Sequence, residues 1–376
     1  MLSVDVAIVG GGIAGAGLAA MLGGGVRVAI LEMEDVPGYH TTGRSAAFFA
    51  ETYGGPGVQP LSTASRDFLL KPPAGFTDVP LLTPRGCLHL ATEDELPLLA
   101  DMDRLFAASS VALEPLDRAA MQARLPGLGD QWVAGRFEPR CGDMDVAAIH
   151  QGFLRRARRN GARLMCNAQL LSAQHVNGRW RLETRAETME ADVVVIAAGA
   201  WADEVAGLLG APPLGIMPLR RTVVQVETEP ALGPDIPIVM DIGGQFYFRP
   251  DAGGIWISPH DETPDVPSDV QPEELDIAIT IDRFENAGAW RVVRKTRAWA
   301  GLRNFAPDRL PVYGFDPAVP GVFWCAGQGG FGIQTAPAAS MLAAALLAGG
   351  AMPDAVAHID AAHYAPARFN LGGVDA

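Results

Sequence analysis

The chain of 376 residues is longer than one hydrophobic core usually supports, so two structural units are expected. An apolar fraction of 49% describes a globular protein, and a formal charge of −14 argues against a nucleic-acid partner, whose phosphates need a basic face. Four cysteines with no CxxC spacing and no visible signal peptide argue against a zinc site or a disulfide framework and suit a cytoplasmic setting.

Val4–Val9 reads as a buried strand running straight into Gly10-x-Gly12-x-x-Gly15. A helix over Ala14–Leu22 and a second strand over Val26–Leu31, ending at Glu32, complete a dinucleotide-binding unit. Gly10 permits the tight turn, Gly12 lets backbone approach a pyrophosphate, and Gly15 lets helix and sheet pack closely. Glu32 is placed to accept hydrogen bonds from a ribose 2′-OH.

Further along, Asp145 can cap a helix from Val146 to about Arg159, with Asn160-Gly161 as its stop. Asn177-Gly178 supplies a type I′ turn between Leu170–Val176 and Trp180–Thr184. Val193–Gly199 and Gly321–Ala326 are continuous apolar runs, the pattern of parallel strands buried on both faces. The apolar stretch Ala338–Leu347 is too short to span a bilayer and reads as a buried helix.

These pieces assign the chain to the α/β class: a discontinuous Rossmann-like domain (1–80, 141–214 and 300–376) with an inserted α+β substrate domain (81–140 and 215–299). The inserted segments hold short alternating strands broken by Pro and Gly, such as Thr222–Thr228, Gln245–Arg249 and Ile255–Ser258, which suit an antiparallel sheet with one covered face.

Three longer segments carry a more specific signal: His40-Thr41-Thr42-Gly43-Arg44-Ser45-Ala46-Ala47, Ala300-Gly301-Leu302-Arg303, and Gln328-Gly329-Gly330-Phe331-Gly332-Ile333-Gln334-Thr335. In these the chain resembles the FAD-dependent D-amino-acid oxidase-like family, and most of all its bacterial D-arginine and D-amino-acid dehydrogenases, along nearly its whole length. The resemblance implies noncovalent FAD. It would be held by Gly10, Gly12, Ile13, Ala14, Gly15 and Glu32, by Thr41, Thr42, Gly43, Arg44, Ser45, Ala46 and Ala47, by Ala198, Gly199 and Trp201, and by Gly329, Gly330, Phe331, Gly332, Ile333, Gln334 and Thr335. His40 lies near a histidine that some relatives link covalently to FAD, but those sharing His40-Thr41-Thr42-Gly43 do not.

The same resemblance implies a small amino-acid or amine substrate whose carboxylate is gripped by Arg221 and Arg303, since the planar guanidinium makes two parallel hydrogen bonds to a carboxylate. Tyr247, pointing opposite to Phe246 and Phe248, and Tyr53 would add phenols, the Gly330 carbonyl would accept from the substrate amine, and Ile333 would wall the side-chain pocket. D-arginine-selective relatives carry glutamate where this chain has Cys87 and histidine where it has Phe48. A guanidinium buried without a partner is costly, so neutral or apolar side chains are expected, and no catalytic base is evident.

The expected reaction is oxidative deamination of a D-amino acid by hydride transfer from Cα to flavin N5, giving an imino acid that hydrolyses to a 2-oxo acid and ammonia. Electrons would pass on to a quinone, a soluble carrier or O2. Oxidation of a secondary amine, or service as the flavin-bearing subunit of an electron-transfer complex, are the alternatives.

Overall fold

A computed structural model describes residues 1–369, so residues 370–376 of the third expected Rossmann-like stretch lie outside the described residues. Leu2–Val9 lies at the centre of an eight-stranded sheet, parallel to Val28–Leu31 on one side and to Thr188–Ile196 on the other. Arg163–Met165 continues the parallel order beyond Val28–Leu31, and Val322–Ala326 pairs in parallel with Thr188–Ile196. Central strands such as Val28–Leu31 and Val322–Ala326 are buried along their whole length. The apolar runs therefore form as expected, because helices cover both faces.

Local signals act where they were read. The Asp145 carboxylate accepts from the Ala148 N–H at 2.8 Å, and the helix runs Val146–Arg159. Leu170–Val176 pairs with Arg179–Thr184 across Asn177 and Gly178, both at positive φ. The glycine-turn helix spans Ile13–Met21, and the apolar C-terminal helix spans Gly332–Ala348.

The second sheet has ten strands. Its core is the antiparallel pair Met217–Glu229 and Arg291–Phe305, flanked by Gly254–Ser258 and then Tyr247–Asp251. One pairing departs from the expected antiparallel order, since Ile238–Asp241 runs parallel to Cys87–Ala91. Those strands come from the two separate inserted segments, so no hairpin dictates their direction. Helices unforeseen in these segments, Leu96–Phe106 and Glu274–Ala287, cover part of this sheet. In Glu274–Ala287 the buried residues Ile277, Thr280, Phe284 and Ala287 follow the helical spacing. The two sheets meet where Gln328–Gly329 pairs with Asn304–Phe305, which pins the start of the C-terminal helix to the end of the long strand.

Candidate active site

Three parallel strands end level with one another, Val9 being paired with both Leu31 and Ile196. The chain leaves them at Gly10, Glu32 and Ala197, so the glycine turn, the acidic side chain and Ala197–Gly199 surround one crevice. Gly10 takes φ +113°, and a Cβ there would strike the Ala197 carbonyl oxygen. A Cβ at Gly15 would strike the Gly10 carbonyl, whereas one at Gly12 would meet only Thr42 Oγ1, at 3.2 Å. The turn is thus closed behind and open toward the crevice.

The Glu32 carboxylate accepts from the N–H groups of Gly11 at 2.9 Å and Glu34 at 3.0 Å. Burial lifts its pKa above the usual carboxylate range, although these bonds pull the other way. Buried His150 donates from Nε2 to the Gly11 carbonyl at 2.8 Å, and burial lowers its pKa, so it braces the turn as a neutral ring.

One cavity, enclosing about 1690 Å³ with its mouth, joins this crevice to the second sheet. It takes in Glu32 and Gln169 beside the second strand, the glycine turn, and Arg221, Tyr247 and Arg303 on the ten-stranded sheet. With the glycine cradle and Glu32 at one end and the two arginines at the other, its lining suits a dinucleotide together with a small anion.

Of the residues named from sequence, Gly10, Gly12, Ile13, Ala14, Glu32, Thr41, Thr42, Arg44, Ser45, Ala46, Ala47, Ala198, Gly199, Trp201, Gly329, Gly330, Gly332 and Ile333 line this cavity, as do Phe48 and Tyr53. Others named with them do not. Gly15 packs beneath Gly10, and Gly43 faces a groove on the other side of its segment. Phe331 packs edge-on against Tyr53 and Phe305. Gln334 is a buried tether, its amide bonded to Ala50 N and O and to Ser62 Oγ, and Thr335 bonds the Phe331 carbonyl. Cys87 is fully buried in the apolar cluster of Phe48 and Tyr247 without reaching the cavity.

The segment that includes Thr41 is bound to both sheets. Thr41 Oγ1 donates to the Leu302 carbonyl at 2.6 Å, and Thr42 Oγ1 accepts from Ile13 N at 3.0 Å. Arg44 donates to the Val270 carbonyl at 2.8 Å and pairs with Asp269. His40 Nε2 pairs with Glu34 at 2.8 Å.

At the far end, strand register brings the two arginines together. Arg221 stands opposite Gly301 and Arg303 opposite Leu219, so the arginines are diagonal neighbours on one face, while Gly301 admits the close approach of Arg44. They are only 6% and 7% exposed. Arg303 Nη1 donates to the Tyr53 hydroxyl at 2.7 Å, and Arg221 lies 5.7 Å from the Tyr247 ring centre. Tyr247 turns away from Phe246 and Phe248, whose rings stack with each other in a different cluster, and packs on Phe48. A Cβ at Gly330 would collide with Tyr53 Oη and the Arg303 side chain, so glycine there lets both approach the backbone.

Burial alone would raise the Tyr53 phenol, but Arg303 and Arg221 draw it below its ordinary value. Three neighbours carried no motif in the sequence. The Asp261 carbonyl accepts from Arg221 Nε at 2.8 Å, Glu262 pairs with Arg303 at 2.7 Å, and His260 packs on the Tyr247 ring. Burial and then the two arginines push His260 down to about 3, so it is a neutral ring whose Nδ1 donates to the Gly244 carbonyl.

A glycine cradle and a buried carboxylate at the ends of parallel strands, opening onto a cavity floored by a second sheet, define a nucleotide-cofactor oxidoreductase. Residues 5–346 match the model of the DAO family, FAD dependent oxidoreductases, and the chain belongs to that family. It is 24% identical to mouse (Mus musculus) FAD-dependent oxidoreductase domain-containing protein 1, over 98% of this chain and 85% of that protein. Glycine oxidase from Geobacillus kaustophilus superposes with a TM-score of 0.82 at 24% identity, over 93% of this chain and 96% of that one. L-proline dehydrogenase from P. horikoshii superposes with a TM-score of 0.85 at 19% identity, over 98% of each chain. Among the described residues no helix is long and apolar enough to cross a membrane.

Proposed function

We propose that the protein oxidises a small amino acid at its C–N bond, with Arg221 and Arg303 holding the carboxylate, and that the substrate is a D-amino acid with a neutral or apolar side chain. The observation that carries this reading is the pair of buried guanidiniums opening onto the same cavity as the glycine turn and Glu32. Asp261 and Glu262 offset these charges, but Arg303 Nε and Arg221 Nη2 are left without a hydrogen-bond partner, and a substrate carboxylate is an anion of the right shape to fill them. Glycine oxidase and L-proline dehydrogenase are named for amino-acid substrates, which agrees with that chemistry.

Noncovalent FAD is held, on this reading, by Gly10, Gly12, Glu32, Thr42 and the 329–333 turn, and when bound supplies the two-electron oxidant. The chain's own groups do the rest. Arg221 and Arg303 fix the carboxylate, and the Gly330 carbonyl accepts from the amine. Phe48, Tyr247 and Ile333 wall the side chain in apolar surface and offer no counter-ion for a guanidinium. His260, pushed down to about 3, is too weak a base to take the proton of a substrate ammonium near pH 7. The amine therefore reacts in its neutral form, and the imine product is hydrolysed to a 2-oxo acid and ammonia. On this reading the division at residues 80, 140, 214 and 299 marks off the inserted substrate domain, to whose site the cofactor domain adds Phe48, Arg303, Gly330 and Ile333, a quinone, soluble carrier or O2 takes the electrons, and four free thiols support a cytoplasmic setting.

A second reading, oxidation of a secondary amine, needs the same clamp and is favoured by the likeness to a proline dehydrogenase. A panel of neutral D-amino acids against sarcosine, proline and pipecolate, with a dye acceptor, decides between them. Turnover confined to the secondary amines would replace the first reading by the second.

A further inference from the structure

Resting on the carboxylate clamp just proposed, we propose that Glu262 is a resident stand-in for the substrate carboxylate, which the substrate displaces from Arg303 onto Arg309, so that Glu262 sets the affinity of the site for carboxylates.

The loop that carries it is anchored to the strand that carries Arg221. Thr263–Pro264 pairs with Leu219–Arg220, and the Asp261 carboxylate accepts from Thr222 N at 2.8 Å and Thr222 Oγ1 at 3.0 Å. Asp261 is thereby fixed, while the next side chain, Glu262, is 35% exposed and held only through its bonds to Arg303 and Arg309. Its Oε1 lies 2.7 Å from Arg303 Nη2, 2.8 Å from Arg309 Nη2 and 3.7 Å from Arg221 Nη2.

Nε and Nη2 of an arginine form one edge, which a carboxylate can bridge with two bonds. Glu262 takes only Nη2 of that edge on Arg303, leaving Nε buried with no partner, and Arg221 Nη2 is buried without one as well. The resident carboxylate therefore satisfies the clamp only in part. A small free carboxylate, unconstrained by a backbone, can fill the edge better.

Charge also favours exchange. Arg221, Arg303 and Arg309 contact Asp261 and Glu262, which leaves one positive charge unmatched. Arg309 is 52% exposed, so a displaced Glu262 keeps a partner at the rim while Arg303 accepts the substrate. At no stage is a buried guanidinium left bare, the situation that makes such sites costly.

The test is calorimetric titration of the full-length, FAD-loaded protein with acetate. Glu262→Gln should tighten acetate about tenfold, the size expected for removing one charged competitor, and should lower KM for the amino-acid substrate without changing kcat. Arg309→Gln, which removes the perch and leaves the clamp intact, should weaken acetate. Weaker or unchanged acetate binding by Glu262→Gln would overturn the proposal, a weakening marking Glu262 as a support for Arg303. Arg303→Lys separates the two ideas: if it leaves wild-type acetate affinity unaltered, the clamp itself fails, whereas Glu262 can fail with the Arg303 dependence intact.

Discussion

Two arginines almost wholly out of water are costly to keep, and each is held by only part of its hydrogen-bonding capacity. Hydrogen bonds to charged groups are worth roughly 1.5–3 kcal/mol each, so Arg303→Lys or Arg221→Lys should raise the substrate dissociation constant about ten- to a hundredfold while FAD content holds. Rapid-mixing flavin reduction at varied substrate measures this, and an unchanged dissociation constant would remove these arginines from the site. His260 gives a prediction in pH. The folded state keeps it neutral down to about 3, whereas an unfolded imidazole takes up its proton near the ordinary value of about 6.5. Between those values the unfolded chain binds more protons, so this group's contribution to stability is full above pH ~6.5 and is lost as pH falls toward 3. His260→Gln should therefore lose less stability than wild type between pH 7 and 4.5 in urea titrations. A parallel loss in both proteins would contradict that assignment. Arg303 lies in one of the three matched segments and Arg221 directly precedes an alternating run, whereas His260 and Glu262 lie in a loop with no periodicity or motif, and only strand register brings them beside the two arginines.

The element that binds the site together is the start of the C-terminal helix. Gln334, fully buried, holds Ala50 and Ser62 and so fixes the loop that presents Tyr53. Replacing it with Leu strands buried backbone groups at Ala50, at a cost of about 1–3 kcal/mol each. Gln334→Leu should lower the melting temperature and also raise KM, and addition of substrate should recover part of the loss. A variant with wild-type KM would show that the Tyr53 loop is held by other contacts. Glycine turn, capped helix and I′ hairpin could be read because each depends on two or three adjacent residues. Glu274–Ala287 was equally readable in its spacing, but neighbouring Pro and Gly breaks made its segment look like strands throughout. The parallel pairing of Ile238–Asp241 with Cys87–Ala91 was not readable at all, since it joins segments distant in sequence.

On the scale of the whole molecule, one cavity spans both sheets, and the pairing of Gln328–Gly329 with Asn304–Phe305 closes it at the point where cofactor and substrate would meet. The α/β class followed from the order of apolar runs, whereas which side chains of Met217–Glu229 and Arg291–Phe305 share one face follows only from their register. His40 Nε2 has Glu34 for a partner and its ring packs against Trp201, an arrangement compatible with the noncovalent FAD proposed above. Acid precipitation should accordingly leave FAD in the supernatant, and a yellow pellet would mean a covalent link. The clamp itself is tested most directly by anaerobic bleaching of the flavin with a reactive amino acid and with its carboxamide, which keeps the amine and side chain but lacks the anion. Reduction by the acid at concentrations where the amide leaves the flavin oxidised is the result expected. Equal bleaching by the two would contradict the claim that Arg221 and Arg303 hold the substrate by its carboxylate.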